Sequence, residues 1–66
     1  MYCSITVKGH LDQCWSEWFD GLTITHRENG ASVLTGHLPD QAALHGVLTK
    51  VRDLGLILIS VHSEDR

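Results

Sequence analysis

The chain is poor in the cross-links that hold many very small proteins together. Only two cysteines, Cys3 and Cys14, occur among its 66 residues. They allow at most one disulfide, and their placement on the apolar sides of a strand and a helix favours buried, inert free thiols. A chain of this length buries only about 60% of its unfolded surface, so a partner subunit is one expected source of extra stability.

The histidines are numerous but do not form a metal-binding pattern. Neither the H-x3-H nor the C-x2-C spacing occurs in the chain. We therefore expect no metal and no cofactor. Surface and rim positions are the better interpretation of the five histidines, His10, His26, His37, His45 and His62.

Basic residues and targeting segments are also scarce. The five Lys and Arg residues are scattered, and the net charge is −3, which argues against a nucleic-acid partner. No apolar run approaches the roughly 20 residues of a membrane span, and no basic segment precedes an apolar one as in a signal peptide. These absences favour a cytoplasmic location without a membrane partner.

Motifs of several enzyme and carrier classes are missing. The phosphate-binding loops G-x-G-x-x-G and G-x4-G-K-[ST] do not occur. Residues 9–14 hold one thiol, unlike the M-x-C-x-x-C loop of heavy-metal chaperones, and residue 2 is Tyr2 rather than the N-terminal proline of tautomerases. No nucleophile, base and orienting group are evident together, so we predict no catalytic residues.

The chain is organised around a helix predicted within residues 39–55. Asp40 is a suitable N-cap, and Gly55 is suited to the left-handed conformation that ends a helix. Gly46 is a local fault that is either tolerated or marks the close approach of another backbone. One apolar stripe runs along the helix at i, i+3, i+4, i+7 and i+10, formed by Leu44, Val47, Leu48, Val51 and Leu54.

The remaining segments predict strands and a second, shorter helix. Residues 2–10 and 22–27 alternate in polarity, and residues 31–38 read as a returning strand. A three-residue loop, 28–30, pairs Ile24 with Leu34 and Thr25 with Val33. Asp12 begins a short helix through about Asp20. The order β-α-β-β-α-β predicts one α+β domain, 1–66, a ferredoxin-like sandwich with two helices on one face of a four-stranded antiparallel sheet.

The last strand, residues 56–61, is apolar almost throughout, and 63–66 reads as a charged, frayed tail. Such a strand is typical of a position covered on both faces, either central or at an interface. The second face of the sheet remains uncovered by helices. It is either solvated, or an isologous homodimer interface or ligand groove that includes Thr25, Val33 and His37.

A second candidate site involves the aromatic residues of the short helix. Trp15, Trp18, His45 and Gly46 would line a pocket where the two predicted helices meet. Aromatic residues at this spacing are more often core than ligand contacts.

Three linked motifs are distributed along the chain, and the resemblance that they carry covers nearly all of it. Residues 15–22 read W-S-x-W-F-x-G-L, residues 40–46 read D-Q-A-A-L-H-G and residues 52–56 read R-D-L-G-L. Together they resemble a widespread family of short bacterial and archaeal proteins recorded as hypothetical. The resemblance implies no activity and supplies no catalytic residue.

Two hypotheses of function follow. The first is a non-enzymatic binding or protein-interaction module that acts as a homodimer or larger assembly. The alternative is a small oligomeric enzyme with His10 or His45 as general base at a subunit junction, since a histidine near neutral pKa suits that role. Replacement of His45 by Gln would separate them, because only an enzyme would lose a turnover.

Overall fold

The computed structural model describes residues 1–64 and has an α+β architecture. An antiparallel sheet holds its strands in the order β4-β1-β3-β2. No helix in the described range combines the length and apolar character needed to cross a membrane. In chain order the elements are β1 Tyr2–Lys8, a 3₁₀ helix Gln13–Trp15, β2 Thr23–His26, β3 Ala31–His37, α1 Gln41–Asp53 and β4 Ile57–Glu64.

The core lies between one face of the sheet and α1. The alternation of β1 directs Cys3, Ile5 and Val7 to this face, where each is 0% exposed. Leu34 on the neighbouring strand β3 stands opposite Ile5 and is equally buried. We call this the helix side of the sheet and the other the open face.

The predicted caps and apolar stripe of α1 are confirmed. The Asp40 carboxylate accepts a hydrogen bond from the Ala43 N–H at 2.9 Å. At the other end Gly55 has φ 73° and Leu56 N–H donates to the Val51 carbonyl at 3.2 Å, which is a Schellman motif. The stripe is buried at Leu44, Val47 and Val51 and half-buried at Leu48 and Leu54.

The hairpin register is also confirmed. Ile24 pairs with Leu34 and Thr25 with Val33. The Arg27 N–H donates to the Ala31 carbonyl at 2.8 Å, which encloses the predicted three-residue loop. Gly30 in this loop has φ 83°, as a left-handed turn residue requires.

The predicted second helix is wrong. Within 12–20 only Gln13–Trp15 is helical, as a 3₁₀ turn, and turns follow through residue 21. Asp20 has φ 59°, a left-handed value that no helix continues through. Asp12 does cap the 3₁₀ turn, through a bond from the Cys14 N–H. The described residues therefore hold one α-helix, and the ferredoxin-like arrangement with two helices is not confirmed.

Cys14 and the last strand also depart from expectation. Both thiols are free, but Cys14 is exposed rather than buried, because the 3₁₀ turn directs it outward. β4 is an edge strand with exposed residues throughout, so among residues 1–64 it is neither central nor covered. Ser63 belongs to β4 rather than to a frayed tail, whereas the last two predicted tail residues, 65–66, lie outside the described range.

Candidate functional site

The most exposed apolar surface lies on β4. Ile57 is 61% exposed, Leu58 46%, Ile59 55% and Val61 39%. These four residues, which we call the β4 surface, stand on a strand whose outer edge has no neighbour in the sheet. Contiguous apolar residues on an unpaired edge mark an interaction site more often than a solvated surface.

A β-bulge at Ile59 distributes the β4 surface over both faces of the sheet. Ser60 pairs with Thr6 but Leu58 pairs with Val7, so Ile59 is an extra residue. Leu58, opposite the buried Val7, faces the helix side, and Val61 faces the same way opposite Ile5. The bulge reverses the alternation along β4, so Leu58 and Val61 share one face although they are three positions apart.

Ile59 turns to the open face, where a shallow depression of about 570 Å³ lies beside it. Val33 and Ala31 form an apolar floor and are 4% and 3% exposed. Arg27 and Glu28 from the hairpin stand at its rim. We call this the open-face groove; its lining is Thr6, His26, Arg27, Glu28, Asn29, Ala31, Val33 and Ile59.

The structure brings only part of the predicted open-face site together. Thr25 and Val33 are cross-strand partners, and Val33 lines the open-face groove. His37 lies at the far end of β3, where its ring meets that of Tyr2 with centroids 5.1 Å apart. His37 is therefore on the same sheet but outside the groove.

The predicted aromatic pocket is not formed as one site. Trp15 and Trp18 do meet edge to face, with ring centroids 6.2 Å apart and an interplanar angle of 82°. His45 is exposed and lines a separate depression of about 290 Å³ on the flank of α1. Gly46 is exposed, and a Cβ at this position would meet no atom within 4 Å, so no other backbone segment of residues 1–64 approaches it.

A pair of stacked histidines lies where no sequence pattern indicated one. The His10 and His26 rings have centroids 3.7 Å apart and an interplanar angle of 36°. His26 Nε2 donates to the Leu11 carbonyl. Ser32, fully buried, accepts from the Leu11 N–H at 2.9 Å and donates to the Gly9 carbonyl at 2.7 Å. These bonds hold the segment after β1 against the sheet. The contact between His10 and His26 could not be predicted from a local pattern, because the two residues are sixteen positions apart in the sequence.

The one exposed thiol, Cys14, is not activated. Desolvation and then the charge of the neighbouring Asp12 carboxylate raise the pKa of Cys14. Hydrogen bonds from Cys14, first through its backbone N–H, lower the pKa of Asp12. Burial raises the pKa of the Cys3 thiol as well. A nucleophilic cysteine needs the opposite shift, so neither thiol is prepared for catalysis.

Metal ligands do not converge in the described part of the chain. Within residues 1–64 no group of three His, Cys, Asp or Glu side chains is placed to hold an ion.

The comparisons with known proteins identify a family without assigning an activity. No curated protein and no solved structure matches the chain. One family, described as a domain of unknown function (DUF8691), matches residues 2–62. With nearly all of its length matched, the chain belongs to this family.

Proposed function

We propose that this chain is a non-enzymatic interaction module that associates with copies of itself. The observation that carries the proposal is the β4 surface, whose four apolar residues are 39–61% exposed. A domain of 66 residues has a small core, so leaving this apolar area in water is costly for its stability. Association would remove this surface from water, which stabilises a small domain by about 25 cal/mol per Å² of apolar area.

The open-face groove supports a role in contacts rather than in catalysis. Its floor is apolar, and its titratable lining residues are Arg27 and Glu28, which are exposed on the hairpin, and half-buried His26. The lining includes no Cys, Ser or Lys, and the Nε2 of His26 is engaged by the Leu11 carbonyl. Thr25 and His37 lie on the same face of the sheet but outside this groove.

The proposal extends to the fold of the module and to its cellular compartment. We infer a ferredoxin-like sandwich in which the first helix is reduced to a 3₁₀ turn, supported by the position of that turn between β1 and β2 and of α1 between β3 and β4. We also assign the module to the cytoplasm, a reducing compartment that suits the free thiols of Cys3 and Cys14.

Sedimentation velocity and light scattering test the proposal directly. Over a series from about 10 µM to about 1 mM, we expect the mass to rise from 7.3 kDa toward twice that value or more. A mass that stays at 7.3 kDa throughout the series would contradict self-association.

A further inference from the structure

We propose that β4 pairs edge to edge with β4 of a second copy, which joins the two sheets into one of eight strands with both α1 helices on the same side. This inference rests on the proposed self-association and specifies its geometry. The competing geometry is the stacking of two open faces.

The β4 edge lacks most features that keep sheet edges from pairing. Its eight residues include no Lys, Arg or Pro, which natural proteins place on exposed edges to prevent pairing. The other edge, β2, has four residues and runs directly into Arg27 and Glu28. The β4 edge is twice as long as the β2 edge and carries no Lys, Arg or Pro, so it is the better suited of the two to accept another strand.

The helix side of β4 is left uncovered by its own chain. Ile5 and Val7 on β1 are 0% exposed, whereas Val61 and Leu58, their partners on β4, are 39% and 46% exposed. Stacking of open faces would leave Val61 and Leu58 in water. Addition of a second sheet with its own helix would cover both, which favours the edge geometry.

The orientation of α1 agrees with a partner on the β4 side. Lys50 Nζ donates to the Trp18 carbonyl at 2.9 Å, so this flank of α1 faces the turns before β2. With 3.6 residues per turn, the opposite flank faces toward β4. That flank holds a depression lined by His45, Leu48, Thr49 and Arg52.

The spacing of the two helices in such a dimer is compatible with packing. Strands lie about 4.8 Å apart, and a helix over β1 and β4 would stand roughly 10–14 Å from its symmetry mate. Half-buried Leu48 would then approach the same residue of the second copy across the joined strands.

The bulge selects one register for the paired strands. A two-fold axis normal to the sheet keeps helix side with helix side, and opposed residues must share a face. Leu58 and Val61 share the helix side but are three positions apart, so they can oppose each other when the axis passes between Ile59 and Ser60. Leu58 of each copy then packs on Val61 of the other, and Ile57 stands opposite His62 on the open face.

The buried area suits a reversible dimer. The β4 surface exposes on the order of 400 Å² of apolar area, comparable with the largest patch of an ordinary monomer. With the polar groups of the same strand, two copies would bury on the order of 1,000 Å², near the lower limit for a specific interface. We therefore expect a dissociation constant on the order of 100 µM.

A matched pair of charge substitutions tests the geometry by sedimentation. Leu58→Lys lies on the exposed edge and the helix side, and Thr25→Lys lies on the open face, away from β4. Edge pairing predicts that Leu58→Lys raises the dissociation constant at least about tenfold while Thr25→Lys leaves it within about twofold. The reverse result overturns edge pairing but leaves self-association intact, whereas a monomeric native chain overturns both.

Cysteine cross-linking tests the register in a Cys14→Ser background, in which the remaining thiol, Cys3, is buried. The double variant Leu58→Cys/Val61→Cys should form a covalent dimer under mild oxidation, since opposed Cβ atoms lie about 4.5–5.5 Å apart. Each single variant should remain uncross-linked, because the two cysteines at the same position of the two copies would lie about three residues apart along the paired strands. Efficient cross-linking of either single variant would overturn the proposed register.

Discussion

Two glycines, Gly36 and Gly46, show how differently one residue type can be constrained in the same small domain. Gly36 has φ 155°, and a Cβ there would lie 2.8 Å from Cδ2 of Leu22, which is 2% exposed. Gly46 sits in α1 with nothing within 4 Å of the corresponding position. The first is required by packing and backbone; the second is only a weak point in a helix.

Replacement of each glycine by alanine should therefore have effects of opposite sign. We expect Gly36→Ala to lower the free energy of unfolding by about 1–3 kcal/mol, through a strained backbone and displacement of Leu22. Gly46→Ala should raise it by up to about 1 kcal/mol through helix propensity. Urea denaturation at fixed protein concentration measures both, and a neutral Gly36→Ala would show that β3 can relax around the added methyl.

The Asp12–Cys14 contact predicts a measurable effect on thiol reactivity. Desolvation is the main cause of the raised pKa of Cys14, and the negative charge of the Asp12 carboxylate raises this pKa further. Asp12→Asn should therefore increase the alkylation rate of Cys14 about two- to threefold at pH 8, because the thiolate fraction grows. Mass spectrometry of iodoacetamide labelling separates Cys14 from buried Cys3. Glu17→Gln, which removes an exposed carboxylate elsewhere, should leave the rate unchanged.

The same contact has a defined pH range. The pKa of Asp12 is lowered in the folded chain from its ordinary 3.8. A group with a lowered folded pKa stabilises the fold above its unfolded pKa, and this contribution is lost as the pH falls through the folded value. The cap on the 3₁₀ turn should thus persist at neutral pH and weaken only in acid below about 4.

At the scale of elements, the sequence predicted α1 well and residues 12–20 badly. α1 carries both of its end signals, Asp40 and Gly55, and a stripe long enough to define its period. The segment before β2 has helical spacing of its aromatic residues, but it is too short for periodicity to decide its backbone. A bond from the Gly21 N–H to the Ser16 carbonyl and one from Ser16 Oγ to the Leu22 carbonyl close it as turns.

Lys50 of α1 makes polar contacts with these turns in addition to the burial of Phe19 in the core. Lys50 Nζ donates to the Trp18 carbonyl, lies 3.6 Å from an Asp20 carboxylate oxygen and stands 5.5 Å from the Trp18 ring centroid. These contacts of Lys50 stabilise the turns against α1, as the packing of a second helix would have done.

Lys50→Ala should accordingly destabilise the domain more than a neighbouring substitution does. We expect a loss of about 1–2 kcal/mol from the charged hydrogen bond and the cation–π contact. Arg52→Ala removes a cation of the same helix whose pairing with Asp53, at 3.8 Å, is largely exposed, and it should change stability by less than about 0.5 kcal/mol. Equal losses in thermal denaturation would contradict the anchoring role of Lys50.

At the scale of the whole molecule, the sequence predicted an apolar last strand but not where it lies. Apolar residues on both faces of a strand indicate burial, yet they do not say whether the same chain supplies the cover. The bulge at Ile59 left no signal in the alternation, because every residue in 56–59 is apolar. Of the residues predicted for an open-face groove only Val33 lines the one observed, since its rim comes from the hairpin and its wall from β4.

Self-association predicts a stability that depends on protein concentration. Because dimerisation favours the folded state by mass action, a tenfold increase in concentration should raise the melting temperature by several degrees. Leu58→Lys should abolish most of this dependence, whereas Thr25→Lys should retain it. Calorimetry at two concentrations is sufficient, and a concentration-independent melting temperature for the native chain would contradict dimerisation.

The central position of β1 has a consequence for folding kinetics. The first strand of the chain is flanked by β3 and β4, so its two ladders close only after long intervening segments have been ordered. Such non-local pairing slows folding. Until β4 docks, β1 offers a free edge of alternating apolar residues to any nascent or neighbouring chain, and exchange of β4 between copies is the misfolding route that this topology invites.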